Sequence, residues 1–242
     1  MYRIASDSPL RWPPSGLSER QIVRLDGIRF SADMAGIAHD RLWDKLCEID
    51  QKADVDISTA DIAEAMLDAW SILDSCHRIG DLVSDFPGLP QEPWRRVWEQ
   101  RTKDANDLRN AWQHLGRDKQ IKATLGQRGQ AWGAIAWHQH RGDQPTGRWY
   151  LAVAGTVFAS SQWLHVGPTN TIFREDTRRL RLLHNGREFY LGKAIRDIFD
   201  AIGHVEGALR AGEVSTRDEE ATEMRGRDIV LSSVVEVLRS AK

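Results

Sequence analysis

Between about residues 32 and 116 the apolar side chains recur three and four apart in three successive stretches, separated only by short turns rich in Pro, Gly and Asp. Consecutive amphipathic helices joined that closely are driven to pack side by side, so a helical bundle is the natural solution. In the first stretch, from about Ala32, the residues Met34, Ala38, Leu42, Lys45, Leu46 and Ile49 outline the apolar face with Trp43 beside it. Ile37, Arg41, Asp44, Glu48 and Gln51 mark the mixed face. The second begins at Ser58 or Thr59 as N-cap, with Asp61 and Glu64 in its first turns as the helix dipole prefers. It keeps its period from Ile62 through Met66, Ala69, Leu73, Cys76 and Val83 until Phe86-Pro87-Gly88. The third starts near Pro93, carries Trp94, Val97, Trp98, Arg101, Ala105, Leu108, Trp112 and Leu115, and meets Gly116 as its expected stop.

The flanks read differently. Pro9, Pro13 and Pro14 predict an extended or loosely ordered start, and Gln21–Phe30 alternates enough (Ile22, Val23, Leu25, Ile28, Phe30) to predict a strand. Past residue 130 the pattern turns to strands: 131–138, 148–160 and a short one at 171–173. Leu180–His184 and Glu188–Leu191 flank Asn185-Gly186, the strongest short hairpin signal in the chain. A helix follows over 191–212, then an acidic linker over 213–223 and a last apolar stretch, 229–238, read as helix. The expected fold class is α+β. An extended segment (1–30) precedes a helical bundle (31–130), and a small antiparallel sheet with packed C-terminal helices (131–242) can complete that bundle.

Charge sharpens the picture. The chain has 33 basic against 35 acidic residues, which excludes a uniformly basic coat. The acid is concentrated, however: residues 31–91 hold four basic and thirteen acidic residues, whereas 92–129 hold nine and five, and 171–196 seven and three. Two locally basic segments are either solvated faces or part of a phosphate-binding groove. Two cysteines, Cys47 and Cys76, suit a reducing cytoplasm, and no window approaches 18 apolar residues, so a soluble cytoplasmic chain is expected, with no membrane partner. Trp70, Trp94, Trp98 and Trp112 read as core. Trp132, Trp137, Trp149 and Trp163, in or beside strands, either pack the core or offer a stacking platform for unpaired bases. His138 and His140 lie on one face of a strand as a metal pair that lacks further ligands, so no metal and no cofactor is expected. No phosphate-binding glycine loop, paired-cysteine zinc motif or nucleophile elbow is present.

The third helix ends Leu108-Arg109-Asn110-Ala111-Trp112-Gln113-His114. These residues resemble the Arg-x4-6-His motif of HEPN-domain proteins, in which a polar residue, often asparagine, follows the arginine. Arg109, Asn110 and His114 match it position by position near the end of a long amphipathic helix. The resemblance covers about residues 30–120 and places a fourth bundle helix after the strands, over about 192–212. A second Arg-x4-His match, Arg179 to His184, lies in the strand that leads into the Asn-Gly turn.

The resemblance implies a metal-independent endoribonuclease of the toxin or phage-defence type, with RNA as substrate and a cognate antitoxin or regulatory protein as a further partner. His114 is then the general acid or base, because imidazole titrates near neutrality. Arg109 clamps the phosphoryl oxygens with its planar fork, and Asn110 orients the histidine or the phosphate. Arg109 and His114 stand about 140° apart around a helix, so they do not share one face. The family answers this by dimerising, which predicts a homodimer whose interface includes the third helix. His77 and Arg78 on the second helix either line the same cleft or form an ordinary polar-face pair. The rival reading is a non-catalytic helical module that binds RNA, a nucleotide or a protein. In that case Arg109 bridges Asp104, Asp107 or an acidic residue of the second helix, while His114 sits on the helix C-terminal dipole.

Overall fold

The computed structural model describes residues 2–52, 57–126, 132–139, 148–156, 180–214 and 228. Helices α1 (Glu19–Gln51), α2 (Thr59–Ser84), α3 (Pro93–Gln113) and the short α4 (Asp118–Gly126) come first. Strands β1 (Ala134–Gln139), β2 (Arg148–Val153), β3 (Leu180–His184) and β4 (Arg187–Tyr190) follow, and α5 (Leu191–Arg210) packs back against α1, α2 and α3. The α+β class holds, with one apolar core running from Ile4 to Leu209.

The strand expected over Gln21–Phe30 is instead the first third of α1. Its opening is a capping box: Ser18 Oγ accepts from the Gln21 backbone N–H at 3.3 Å, and Gln21 Oε1 accepts from the Ser18 N–H at 2.9 Å. From there the buried positions run Gln21, Leu25, Ile28, Ala32 and Ala35, a helical spacing. The residues that made the segment look alternating, Val23 and Phe30, face solvent at 68% and 51% exposure. Met34, expected in the apolar face, is exposed as well. The proline-rich start is not loose either. Leu10 is fully buried, Arg11 ion-pairs with Asp33 at 2.8 Å, and the Tyr2 ring meets Phe199 of α5 at 5.3 Å between centroids.

Helix α2 begins as its sequence predicts. Ser58 caps the Asp61 N–H at 3.2 Å, and Asp61 answers through the Ser58 N–H at 3.0 Å. Helix α3 approaches α2 closely where Gly80 faces Thr102. Gly116 does not stop α3 in a left-handed turn. Successive hydrogen bonds from the N–H groups of His114 to Asn110 O (3.2 Å), Leu115 to Trp112 O (3.0 Å) and Arg117 to His114 O (2.9 Å) carry the chain straight into α4, a helix the sequence reading lacked.

The strands form an antiparallel sheet in the order β2-β1-β3-β4. β3 keeps its expected bounds, while the other three are shorter or shifted: β1 starts at Ala134, β2 ends at Val153, and β4 ends at Tyr190, where α5 begins at once. The β3–β4 hairpin pairs His184 with Arg187 around Asn185 (φ 48°) and Gly186 (φ 73°), the two left-handed residues that a tight hairpin turn requires. Ile135 and Trp137 on β1, Leu180 and Leu182 on β3, and Phe189 on β4 all join the helical core. The C-terminus of α5 is closed by Gly212 N–H to Leu209 O (3.2 Å) and Glu213 N–H to Ala208 O (3.0 Å), as its glycine predicts. The expected segments 171–173 and 229–238, most of the 213–223 linker, and Trp163 lie outside the described residues.

Candidate functional site

Asn110 and His114 lie one turn apart on α3, with His114 as the C-cap residue. Both line a cavity of about 430 Å³ whose other polar walls are Gln120 of α4 and His184, Asn185 and Arg187 of the β3–β4 hairpin. Exposed Asn110 and Arg187 stand at its rim, and Arg187 reaches Asp107 of α3 at 3.0 Å. Such an exposed ion pair is worth under about 1 kcal/mol.

His184 is a buried part of the lining. Alternation along β3 puts Leu180, Leu182 and His184 on the side that faces the helices, and the His184 ring meets Trp70 of α2 edge-on at 5.7 Å. It is 2% exposed, and neither ring nitrogen has a hydrogen-bond partner among the described residues. Burial pushes its pKa down to about 4, which holds the ring neutral. The adjacent Asn185 Oδ1 is likewise buried without a partner among the described residues. Orphaned buried polar atoms are expensive, and these three belong to residues that line the cavity.

Arg109 points elsewhere. Its Nε donates to Asp74 Oδ1 of α2 at 2.7 Å, while Arg78 Nε donates to Asp74 Oδ2 at 2.7 Å. Burial alone would raise the Asp74 pKa, but the two guanidinium hydrogen bonds outweigh it, and the carboxyl is held below its usual range. His77 lies beside this group, 3.4 Å from Asp81; burial, with Arg109 and Arg78 adding to it, lowers its pKa. The structure thus gathers Arg109, Arg78 and His77 on one side of α3, and Asn110 and His114 on another. This separation follows from the rotation between positions 109 and 114. Asn110 Nδ2 donates to Asn106 Oδ1 at 3.0 Å, one turn back.

Of the aromatic residues expected in the core, Trp98 and Trp70 are buried, with Trp70 stacked on half-buried Trp112 at 4.9 Å. Trp137 is also buried, whereas Trp132 is 45% exposed and touches Trp112 edge-on. On the sheet's other face, Arg181 lies 4.5 Å over the Trp149 ring, and His138 stands beside that ring at 5.2 Å. His140 lies outside the described residues, as does Arg179. Among the described residues no group of three or more His, Cys, Asp or Glu side chains could hold a metal ion. Cys76 is buried, and desolvation first of all pushes its thiol up to about 12, far from the thiolate a nucleophile needs.

Sequence spacing singles out Asn110 and His114, whereas His184 enters only as the end of a competing motif match. The signal that places it was present: in Leu180-x-Leu182-x-His184 the histidine holds the inward position of a strand that ends at the Asn-Gly turn. Among the described residues, no helix is long and apolar enough to cross a membrane. No family model, curated protein or solved structure matches this chain.

Proposed function

We propose that this chain is a metal-independent endoribonuclease of the HEPN type, toxin or phage-defence-like, that cleaves RNA at a site containing His114 and works as a homodimer through α3. The observation that supports it is the shared cavity: His114 and Asn110, two of the three motif residues, line one cleft together with Arg187. A cleft of about 430 Å³ is within the size range of small-molecule sites. RNA phosphate seats at the rim against Arg187, Asn110 holds a phosphoryl oxygen or the imidazole, and His114 transfers the proton. Arg109 contributes its phosphate clamp across the dimer, which requires it to exchange Asp74 for the phosphate.

The second reading is a non-catalytic module that binds RNA, a nucleotide or a protein partner. The Arg109–Asp74 pair favours it, because an arginine so engaged serves the α2–α3 interface. The two readings separate in an assay of the purified full chain on RNA in the presence of a chelator. Cleavage that disappears in His114→Ala supports the nuclease; RNA binding without cleavage supports the module.

A further inference from the structure

We infer that the outer face of α1 is a docking surface for a second copy of this chain, the two α1 helices pairing antiparallel about Phe30. The inference goes beyond the α3 pairing of the ribonuclease reading and needs no part of it. Helix α3 packs on α2 and α5 and leaves this face of α1 open.

Helix α1 turns its buried positions toward the core, yet Val23, Phe30, Met34 and Ile37 are all exposed. At 100° per residue these four fall within about 60° of arc and run about 21 Å along the helix. Their spacing of seven, four and three is that of a two-helix seam, not the scatter of single apolar residues that any surface carries. Phe30, in the middle, is the anchor. The buried Arg29 guanidinium lies 4.1 Å over its ring and is itself forked onto Asp228 at 2.9 and 2.6 Å. The ring is thus held before a partner arrives and loses little freedom on docking.

The order of residues along the stripe identifies the occupant. In an antiparallel pair centred on Phe30, each position meets the one equally far on the other side of it. Val23 and Ile37 stand seven residues either way, so each meets the other in the second copy. Glu19 and Arg41, both exposed, stand eleven either way and meet as opposite charges at each end. Met34 comes over Gly27, where no side chain stands in its way. One stripe read in both directions therefore sets apolar on apolar and acid on base, which is what a two-fold interface requires. Parallel pairing would set Glu19 on Glu19 and Arg41 on Arg41, and it would align the two helix dipoles. Four apolar side chains and their flanking charges cover less than the about 800 Å² per partner of a standard interface, so this pairing belongs to the weak, concentration-dependent class.

Sedimentation velocity of the full chain over a dilution series tests the pairing, and two cysteine variants read its register. The wild type is expected to dimerise reversibly. Phe30→Asp, which sets two carboxylates face to face on the axis, is expected to raise the dimer Kd tenfold or more. Position 30 is exposed, so the melting curve of the dilute variant should match that of the wild type. Should Phe30→Asp not fold, Ile37→Lys replaces it with the same expectation. With a short thiol cross-linker, Val23→Cys mixed with Ile37→Cys is expected to give a covalent dimer that neither variant gives alone and that the wild type, with Cys47 and Cys76, does not give.

A wild type that stays monomeric up to about 500 μM overturns the inference. Slow alkylation of Val23→Cys and Ile37→Cys in that monomer would then assign the stripe to the chain's own residues 229–242. A dimer whose Kd Phe30→Asp leaves within threefold also overturns it, while the α3 pairing stands. Cross-linking no stronger in the mixture than in either variant alone overturns the antiparallel register.

Discussion

Arg109 Nε donates to Asp74 Oδ1 at 2.7 Å across the α2–α3 interface, and this places the motif arginine on the opposite side of its helix from the cavity that holds His114. The pair is partly shielded, with side-chain exposures of 22% and 27%, so its hydrogen bond is charge-assisted without being fully screened. Arg109→Ala is therefore expected to cost about 1 kcal/mol of stability, and a double-mutant cycle with Asp74→Asn to return a coupling of similar size. Urea midpoints of the four proteins measure it; zero coupling would show that the pair does not hold the helices together in solution.

Burial of neutral His184 makes stability depend on pH. An unfolded histidine titrates near 6.5, whereas His184 in the folded chain titrates at about 4. Between those values the unfolded state binds the proton first, so stability is full above pH 6.5 and falls as pH drops toward 4, by about 3 kcal/mol at most. His39 and His77 shift in the same direction, burial being the leading cause in each. The informative quantity is thus the difference between the wild type and His184→Leu. Urea melts at pH 7.5, 5.5 and 4.5 should show the wild type losing more stability on acidification than the variant.

Gly133 ties the sheet to the site. It has φ +82°, and a Cβ there would sit 2.2 Å from the Leu183 carbonyl oxygen and 3.3 Å from His184 Cβ. Backbone cannot retreat as a flexible side chain can. Gly133→Ala is expected to destabilise by roughly 2 kcal/mol or more and to displace β3 along with His184. A thermal melt checks the first effect, and a shift in the His184 ring signals checks the second.

Sedimentation equilibrium tests the homodimer reading. A HEPN-type composite site calls for a species of twice the 27.5 kDa chain mass at micromolar concentration. A monomer throughout would leave Arg109 beside Asp74 and favour the binding module.

What was legible in the sequence was what local chemistry decides. Ser58 capped its helix, Asn185-Gly186 turned its hairpin, and the α5 spacing ended at Gly212, each because one or two residues carry the whole signal. The start of α1 resembles a strand in sequence because Val23 and Phe30, though apolar, face solvent; the Ser18–Gln21 capping box beside them is the better guide. Helix α4 was missed because α3 ends in overlapping turns rather than at a left-handed glycine. The cavity was half legible: Asn110 and His114 share a helix face that rotation alone predicts, but their meeting with His184, seventy residues later in the chain, depends on how the sheet docks on the helices.

RNA cleavage by the full chain in excess chelator, wild type beside His114→Ala, decides whether His114 is catalytic. The wild type is expected to cleave, and a His114→Ala protein with an unchanged melting curve to be slower by at least about 100-fold, the scale of general acid–base catalysis. Equal cleavage by the folded variant, or none by the wild type, would contradict it.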